Sequence, residues 1–466
     1  MPVARTIAVP APPSPLTPGI AAWLSEYGER NRMTVGITPL EALNRWQTDQ
    51  RTGDISHRSG RFFTVTGLDV HVSGSPLEHW RQPIMDQPDI GILGLLVKRF
   101  GGVPHLLVQA KVEPGNCNGV QLSPTVQATR SNYTRVHAGR AVPYLEYFQQ
   151  SERHIVHADV RQSEHGTWFY RKRNRNMVVE VTGEVEVLEG FRWLTAGELG
   201  SLLAVDNLVN MDTRTVLGCL PMPGPGPHDS ADPHDARTGA LVASITGERP
   251  ARHDLDEILR WLTAVRSRRE VLVRPITLSE VAGWGHRDGR ISHDEGLFFD
   301  VIGVDVEATG REVARWSQPI FAPRGLGLNA LLVRRVDGVL HVLVQARVEP
   351  GYLDVVEVAP TVQCTPDTYD RLPRAARPLF LDEVLAAEEE QILFDVIHSE
   401  EGGRLYHARN RYLVVESRTP AAVIDHPDYR WVTLRQLGAL MRHSHYVNVQ
   451  VRSLVACLRG LAGHTF

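Results

Sequence analysis

An α+β fold, made by tandem duplication of one mixed-sheet domain flanked by helices, is what the sequence predicts. The first observation is a long repeat. His105-Leu-Leu-Val-Gln109-Ala-Lys111-Val-Glu113-Pro-Gly115 returns as His341-Val-Leu-Val-Gln345-Ala-Arg347-Val-Glu349-Pro-Gly351. Pro124-Thr125-Val-Gln127 returns as Pro360-Thr361-Val-Gln363, at the same offset of 236 residues. Between 105–127 and 341–363, 14 of 23 positions are identical, and the polar ones were kept along with the apolar ones. A duplicated core strand alone would let its polar residues drift, so a polar site was duplicated too. The second observation is strand-and-turn patterning ahead of each repeated string. The third is a capping box closing each copy: Thr195 with Glu198, then Thr433 with Gln436, the Ser/Thr-x-x-Glu/Gln signature of a helix start. The period far exceeds the roughly 20–50 residues of solenoids and propellers, so the chain is a pair of domains.

The elements follow in order. Residues 1–19 carry six prolines and read as a disordered tail. The first copy, 20–220, opens with a helical segment around Trp23-Leu24. Phe62-Phe-Thr-Val-Thr-Gly-Leu-Asp-Val70 then reads as a strand. Two more strands, 91–100 and 104–113, flank the turn Gly101-Gly102. Residues 221–254 contain Met222-Pro-Gly-Pro-Gly-Pro and read as a surface linker. The second copy, 255–460, repeats the plan with Trp261-Leu262, a strand over 298–306, and the hairpin signal Asp337-Gly338.

Composition narrows the class. At 466 residues the chain is too long for one typical domain and suits two of about 200 residues. The net charge of −4 gives no overall attraction to nucleic acid or an acidic membrane. No run of 18 apolar residues and no signal-peptide core is present, so the expectation is a cytoplasmic protein with no membrane segment. The cysteines at 117, 219, 364 and 457 have no CxxC spacing, and Cys219 and Cys457 read as core thiols. No dinucleotide fingerprint, Walker motif, HExxH or GxSxG occurs, so neither a cofactor nor a metal is expected. Only Lys98, Lys111 and Lys172 are lysines, which limits lysine chemistry to the first copy.

Polar residues kept in both copies are the first candidates. Glu113 and Glu349 end a strand at a Pro-Gly turn, where a carboxylate either satisfies loop amides or serves a site at the sheet rim. Gln109 and Gln345 lie mid-strand, where a buried amide needs a partner, internal or on a ligand. Trp80-Arg-Gln82 and Trp316-Ser-Gln318 pair a flat aromatic with an amide in an expected loop, fit either to plug the sheet end or to stack on a base. Tyr133 and Arg135 return as Tyr369 and Arg371, and Arg173 and Arg175 as Arg409 and Arg411. Arginines at i and i+2 of a strand share a face, so they form a solvated basic face or a diphosphate clamp. The copies also differ. Lys111, Asn116, Asn118, Arg130, Asn132 and His165 stand opposite Arg347, Tyr352, Asp354, Pro366, Thr368 and Glu401. The first set is better equipped for anions and proton transfer, which points to one active site and one vestigial or regulatory one.

The strings Trp80-Arg-Gln-Pro-Ile, Gln109-Ala-Lys-Val-Glu-Pro-Gly-Asn116, Ser123-Pro-Thr-Val-Gln-Ala-Thr-Arg130-Ser-Asn-Tyr133-Thr-Arg135, Arg171-Lys-Arg-Asn-Arg-Asn-Met and Asp206-Asn-Leu-Val-Asn-Met-Asp-Thr-Arg214 resemble the NDP-hexose 2,3-dehydratases of deoxysugar and antibiotic biosynthesis. The resemblance implies a Nudix-like fold for each copy and a homodimer. The Nudix metal box is absent from both halves, which speaks against metal-dependent hydrolysis. The implied substrate is dTDP-4-keto-6-deoxy-D-glucose, which would lose water across C2 and C3 and relax to the 3,4-diketo-2,6-dideoxy sugar. Because that product is labile, a 3-ketoreductase is the expected functional partner. The C4 ketone already acidifies the C3 proton, so the chemistry needs a base at C3, a donor to the C4 enolate and an acid for the C2 hydroxyl. Glu113 or His165 is expected as base, and Tyr133 or Lys111 as enolate donor. Nucleotide-sugar binding is expected of Trp80, Gln82, Gln109, Asn116, Thr125, Gln127, Arg130, Arg135, Arg173 and Arg175. A second site is expected from Trp316, Gln318, Gln345, Arg347, Glu349, Thr361, Gln363, Tyr369, Arg371, Arg409 and Arg411. Two rivals remain: a Nudix-type nucleotide-sugar hydrolase, which needs a metal-binding carboxylate cluster, and a non-catalytic nucleotide-sugar sensor or scaffold.

Overall fold

The computed structural model describes residues 16–129, 142–224, 236–309, 313–421, 424 and 426–463. It is a mixed α+β protein of two repeated, sheet-rich halves. In the first half a seven-stranded sheet runs in the order Ile155–Ser163, Arg173–Glu180, Gly91–Phe100, Val103–Val112, Phe191–Thr195. Two short strands, Val120–Pro124 and Val126–Ala128, add to its middle. Arg173–Glu180 lies parallel to Gly91–Phe100 while the other pairs are antiparallel, so the sheet is mixed. The second half repeats this sheet from Gly327–Val336, Val339–Arg347, Glu357–Pro360, Val362–Cys364, Ile392–Ser399, Arg409–Glu416 and Tyr429–Val432.

The apolar run Ile92-Leu-Gly-Leu-Leu-Val97 is buried on both faces, because strand side chains alternate and each face has its own core. Leu93, Leu95 and Val97 enter a core shared by the two halves. Ile92 and Leu96 meet Phe148 in a separate one, where Gly94 leaves room for the Phe148 ring. The hairpins turn as their sequences require. Gly101 and Gly102 are both left-handed, at φ 57° and 84°, as are Asp337 and Gly338 at 49° and 77°. Both capping boxes are formed, starting the helices Ala196–Leu202 and Leu434–Met441.

Two features tie the halves together. The shared core gathers Leu95, Val108 and Val178 of one sheet with Leu331, Val344 and Val414 of the other. Helices Met211–Gly218 and Val449–Leu461 pack within it, and Gly218 allows the Arg452 carbonyl oxygen to within 2.5 Å of where a Cβ would stand. Each buried Val or Leu there contributes roughly 1.5–3 kcal/mol by leaving water, so the shared core holds the halves in register. The halves also exchange a strand. Met33–Thr38 of the first pairs with Phe299–Ala308 of the second, and Val271–Ile276 of the second pairs with Thr64–Val72 of the first. Each exchange completes a five-stranded sheet.

Three local expectations change. Within 221–254, Ala236–Thr246 is a helix with Ala240–Thr246 buried against the second half. Its Ala-Leu-Val-Ala-Ser-Ile run is core sequence masked by the neighbouring prolines. Trp80 and Gln82 lie in the strand His79–Asp86, and Trp316 and Gln318 in Arg315–Pro323, not in loops. At the end of the expected tail, Pro18 opens the helix Pro18–Arg30, where proline is well tolerated. Among the described residues no helix is long and apolar enough to cross a membrane.

Candidate active site

The site begins at the repeated Glu-Pro-Gly turn. Gly115 donates its N–H to the Gly402 carbonyl at 2.7 Å and accepts from the His407 N–H at 2.9 Å. Gly351 mirrors it, with Gly166 at 2.7 Å and Arg171 at 2.7 Å. A Cβ at Gly115 would overlap the Leu405 carbonyl oxygen, and one at Gly351 that of Phe169. The Gly was therefore kept for close backbone approach. As a result, each turn rests on the other half's loop, 400–408 for Glu113 and 164–172 for Glu349. Buried Arg214 and Arg452 anchor the starts of these loops: Arg214 Nη2 donates to the Ser399 carbonyl at 3.0 Å, and Arg452 Nη2 to that of Ser163 at 2.6 Å. Two clusters of largely buried polar side chains result, each drawn from both halves and each called a pocket below.

In the first pocket Glu113 is buried. Its Oε1 receives the Lys111 ammonium at 3.0 Å and the Gln127 amide at 3.1 Å. Gln127 is oriented in turn by Ser123 Oγ at 2.7 Å and Asn210 Nδ2 at 3.3 Å. Glu401 enters from the second half. The Gly403 N–H donates to its Oε1 at 3.0 Å, and a Cβ on Gly403 would lie 2.5 Å from that oxygen and 3.8 Å from Glu113 Oε1. Asp212, in the first turn of helix Met211–Gly218, is 3% exposed. Glu164 accepts from Asn174 Nδ2 at 2.6 Å through Oε1. Burial drives the Asp212 carboxyl well above the usual range, and the charges of Glu164, Glu401 and Glu113 add to the shift against Lys111. Burial also raises Glu401, helped by Glu113 and Glu164 and opposed by Arg404 and Lys111.

The second pocket repeats the frame and changes its contents. Glu349 Oε1 accepts from Arg347 at 3.0 Å and Gln363 at 2.7 Å, and Asn448 holds Gln363 at 2.9 Å. The position of Asn116 is taken by Tyr352, which is buried and lies with its ring 2.7 Å from where a Gly166 Cβ would stand. The positions of Glu401 and Asp212 are taken by His165 and Gln450, whose Nδ1 and Nε2 are 2.9 Å apart. His165 Nε2 also lies 3.2 Å from Glu400 and 3.0 Å from Met211 Sδ. Burial opposes charge on the imidazole, but the bond and charge of Glu400, with Glu164 and Glu349 behind it, outweigh that and raise its pKa.

The other candidates divide by what they touch. Thr125 and Thr361 bridge neighbouring strands, each accepting from a backbone N–H (Leu96 and Leu332, both at 2.9 Å) and donating to the carbonyl of Leu107 or Leu343. The Trp80 indole donates to Gln82 at 2.8 Å and Gln82 donates to the Thr167 carbonyl at 2.8 Å. Trp316, Gln318 and the Gly403 carbonyl repeat this at 3.0 and 2.7 Å, so both pairs brace the pocket loops. Gln345 donates to the Pro360 carbonyl at 2.9 Å, and Gln109 sits opposite Ser123 in the sheet. Asn116 donates to the Gly119 carbonyl at 2.8 Å and keeps Oδ1 buried without a partner among the described residues. Arg175 and Arg411 each hold an aspartate of the next strand, Asp159 or Asp395, through two bonds of 2.6–2.7 Å. Arg173 and Arg409 cross over: the charge of Arg173 acts on His445 of the second half and that of Arg409 on Cys117 of the first. Tyr369 is close enough to Arg347 to feel its charge, and Arg371 is exposed. Arg130, Tyr133 and Arg135 lie outside the described residues.

The pairing of His165 with Glu113 is not what the fold builds. His165 packs beside Glu349, and its place next to Glu113 is filled by Glu401. Sequence reasoning missed Glu164, Asp212 and Glu401 as members of one cluster. The only signal was indirect: Glu164-His165 against Glu400-Glu401, and Asn210-Met-Asp212 against Asn448-Val-Gln450. Among the described residues, the donor atoms close enough to hold one metal ion are those of Asp69, His71 and His79 on a different sheet, and Asp69 is already paired with Arg274 at 2.7 Å.

A sequence model of the NDP-hexose 2,3-dehydratase family matches residues 17–220 and again 255–458. This chain belongs to that family. It is 47% identical over 452 residues to a dTDP-4-dehydro-6-deoxy-α-D-glucopyranose 2,3-dehydratase of Saccharopolyspora spinosa, covering 94% of this chain and 90% of the relative. It is 48% identical over 454 residues to one from Streptomyces violaceoruber, covering 96% and 98%. A third, from Amycolatopsis orientalis, is 46% identical over 452 residues, covering 96% and 91%. Within this dehydratase family neither the hydrolase nor the sensor reading is favoured.

Proposed function

We propose that this chain eliminates water across C2 and C3 of dTDP-4-keto-6-deoxy-D-glucose, in the first pocket, giving the 3,4-diketo-2,6-dideoxy sugar. The observation that carries the reading is the buried Glu113–Lys111 pair among carboxylates, in a chain almost half identical along its length to dehydratases of that substrate. Glu113 is the base at C3. The Lys111 ammonium and Gln127 amide both donate to it, which suits the carboxylate form a base needs. Lys111 has three donors, and those not spent on Glu113 reach the oxygen on which negative charge develops as C3 loses its proton. Tyr133 remains the alternative enolate donor. Arg130 and Arg135, with Arg409 from the second half, would take the nucleotide diphosphate.

The enzyme is a cytoplasmic hydro-lyase of deoxysugar and antibiotic biosynthesis, acts as a homodimer, has two Nudix-like halves, and hands its labile product to a 3-ketoreductase. The test is incubation with the substrate in deuterated water, with a 3-ketoreductase and NADPH, followed by mass spectrometry. The expected product is a 2,6-dideoxy-4-keto sugar nucleotide carrying solvent deuterium at C2. Tight binding with unchanged substrate would instead support a sensor, and release of dTMP a hydrolase.

A further inference from the structure

We propose that Glu401, supplied by the second half, is the acid that protonates the departing C2 hydroxyl, and that Asp212 is the positioning residue that shares its proton. The inference rests on the dehydratase reading above and assigns the one role that reading leaves open. Glu113, Glu164, Asp212 and Glu401 gather beside Lys111, with Arg404 next to Glu401. Glu401 Oε2, Asp212 Oδ1 and Glu164 Oε2 are all buried with no hydrogen-bond partner among the described residues. Buried polar atoms are nearly always satisfied, and adjacent carboxylates cannot all stay ionised away from water. A proton held between Glu401 and Asp212 removes one charge and provides the donor that both orphan oxygens lack. A Cβ on Gly403 would lie 2.5 Å from Glu401 Oε1 and 3.8 Å from Glu113 Oε1, and Asp212 is 3% exposed, so Glu401 is the carboxyl beside the proposed base and the one assigned to meet substrate.

The second pocket is an internal control. Its equivalents, His165 and Gln450, are hydrogen-bonded to each other at 2.9 Å, which shows that these two positions face one another in this fold. Replacing that neutral-or-cationic pair by two acids creates a proton store in the first pocket alone. It also gives the carboxylates different roles. Glu113, holding an ammonium and an amide, stays a base, while Glu401, raised by burial and like charges, keeps a proton near neutral pH. Two carboxyls in such different surroundings can divide base and acid work.

The step balances. Glu113 takes the C3 proton, and the electron pair forms the enolate with the C4 ketone. As that pair returns, the C2–C3 double bond forms and the C2–O bond breaks. The oxygen takes the Glu401 proton and leaves as water. The resulting C3 enol loses its hydroxyl proton and gains one at C2, and solvent resets the two carboxyls.

The test compares the native substrate with its 2-deoxy-2-fluoro analogue, because fluoride leaves without a proton. For Glu401→Gln the expected result is a fall of about 10²–10⁴-fold in water elimination, with fluoride release at the wild-type rate and continued exchange of the C3 hydrogen with deuterated solvent. For Asp212→Asn the alkaline limb of the kcat profile should move to lower pH, because Glu401 loses a like-charged neighbour. Equal losses on both substrates, or full native turnover in Glu401→Gln, would overturn the assignment. So would a dependence of wild-type turnover on Mg²⁺ or on its removal by EDTA, which would make the cluster a metal site. If the wild-type enzyme turns over neither substrate, it is the dehydratase reading that fails, not this one.

Discussion

The two pockets share a frame, and three of the places where they differ bear on chemistry rather than architecture. Both have a strand-end Glu held by a cation at 3.0 Å and by a Gln, and both have a Pro-Gly turn pressed on the opposite half. What differs is Asn116 against Tyr352, Glu401 against His165, and Asp212 against Gln450. The first pocket has small polar and acidic groups at these positions. In the second, an aromatic ring and a hydrogen-bonded His–Gln pair occupy the same positions. With catalysis in the first pocket, as proposed, the second copy keeps the frame as architecture.

The comparison breaks most directly at the two glutamates. Glu113→Gln should lower turnover by about 10²–10⁴-fold, the usual worth of a positioned base, while Glu349→Gln should leave kcat within a small factor of wild type. Steady-state assays of both variants, coupled to the ketoreductase, decide it. Equal losses would make the second pocket a partner in catalysis.

His165→Asn sharpens the comparison from the other side. His165 and Glu400 form a buried pair at 3.2 Å, each with side chains at most 2% exposed, and breaking such a pair costs roughly 3–5 kcal/mol. Turnover should survive, since His165 lies beside Glu349. The pH dependence has a definite sign. The raised pKa of His165 gives stability that is complete below its ordinary 6.5 and lost as pH climbs through the folded value. Glu400 is held down to about 2 from 4.5: burial works against this, but His165, Arg214 and Asn410 outweigh it. Its contribution is complete above 4.5 and lost as pH falls toward 2. The gap in thermal stability between wild type and His165→Asn should therefore be widest between about pH 4.5 and 6.5. A gap that does not vary with pH would rule out the ion pair as its source.

A symmetric outcome is expected at the two glycines. Gly115→Ala and Gly351→Ala each force a Cβ onto a carbonyl oxygen of the other half, at a cost of roughly 3 kcal/mol for a rigid backbone overlap. Denaturant midpoints for both should fall together, whatever happens to activity. If only Gly115→Ala destabilises, the second turn is not part of the frame.

Much of the fold was legible because its signals are local. The Gly101-Gly102 and Asp337-Gly338 turns, the capping boxes and the alternating strands each depend on a few neighbouring residues. The strand exchange was not legible, since each pairing joins residues of different halves, Met33 with Ala308 and Val271 with Val72. The frame of the site could be read from the repeat, and Glu113 with Lys111 came from that. Glu401 and Asp212 could not be joined to Glu113 along the chain, because the contact crosses from one half to the other. In the sequence His165 reads as an alternative to Glu113 for the base; sequence order puts it in the first half, and the crossed loops put it beside Glu349.

A last contrast lies just behind the pockets. Gln121 donates to Ser399 Oγ at 2.6 Å, and its counterpart Glu357 accepts from Ser163 Oγ at 2.5 Å. Glu357 is fully buried with Oε1 unpartnered among the described residues, and burial pushes its pKa up to about 7 against the lowering effect of Ser163 and Arg452. The folded state thus holds a proton that the unfolded chain releases near 4.5. Stability from this group is complete at low pH and declines as pH rises from about 4.5 through 7. Glu357→Gln makes the two halves alike and keeps an acceptor for Ser163. It should leave the melting temperature unchanged at pH 4.5 and raise stability at pH 8 by on the order of 2 kcal/mol. A variant less stable than wild type at pH 8 would show that the carboxylate is held by Arg452 and Arg266 as an ion pair, and that this corner of the second half is stabilised by charge after all.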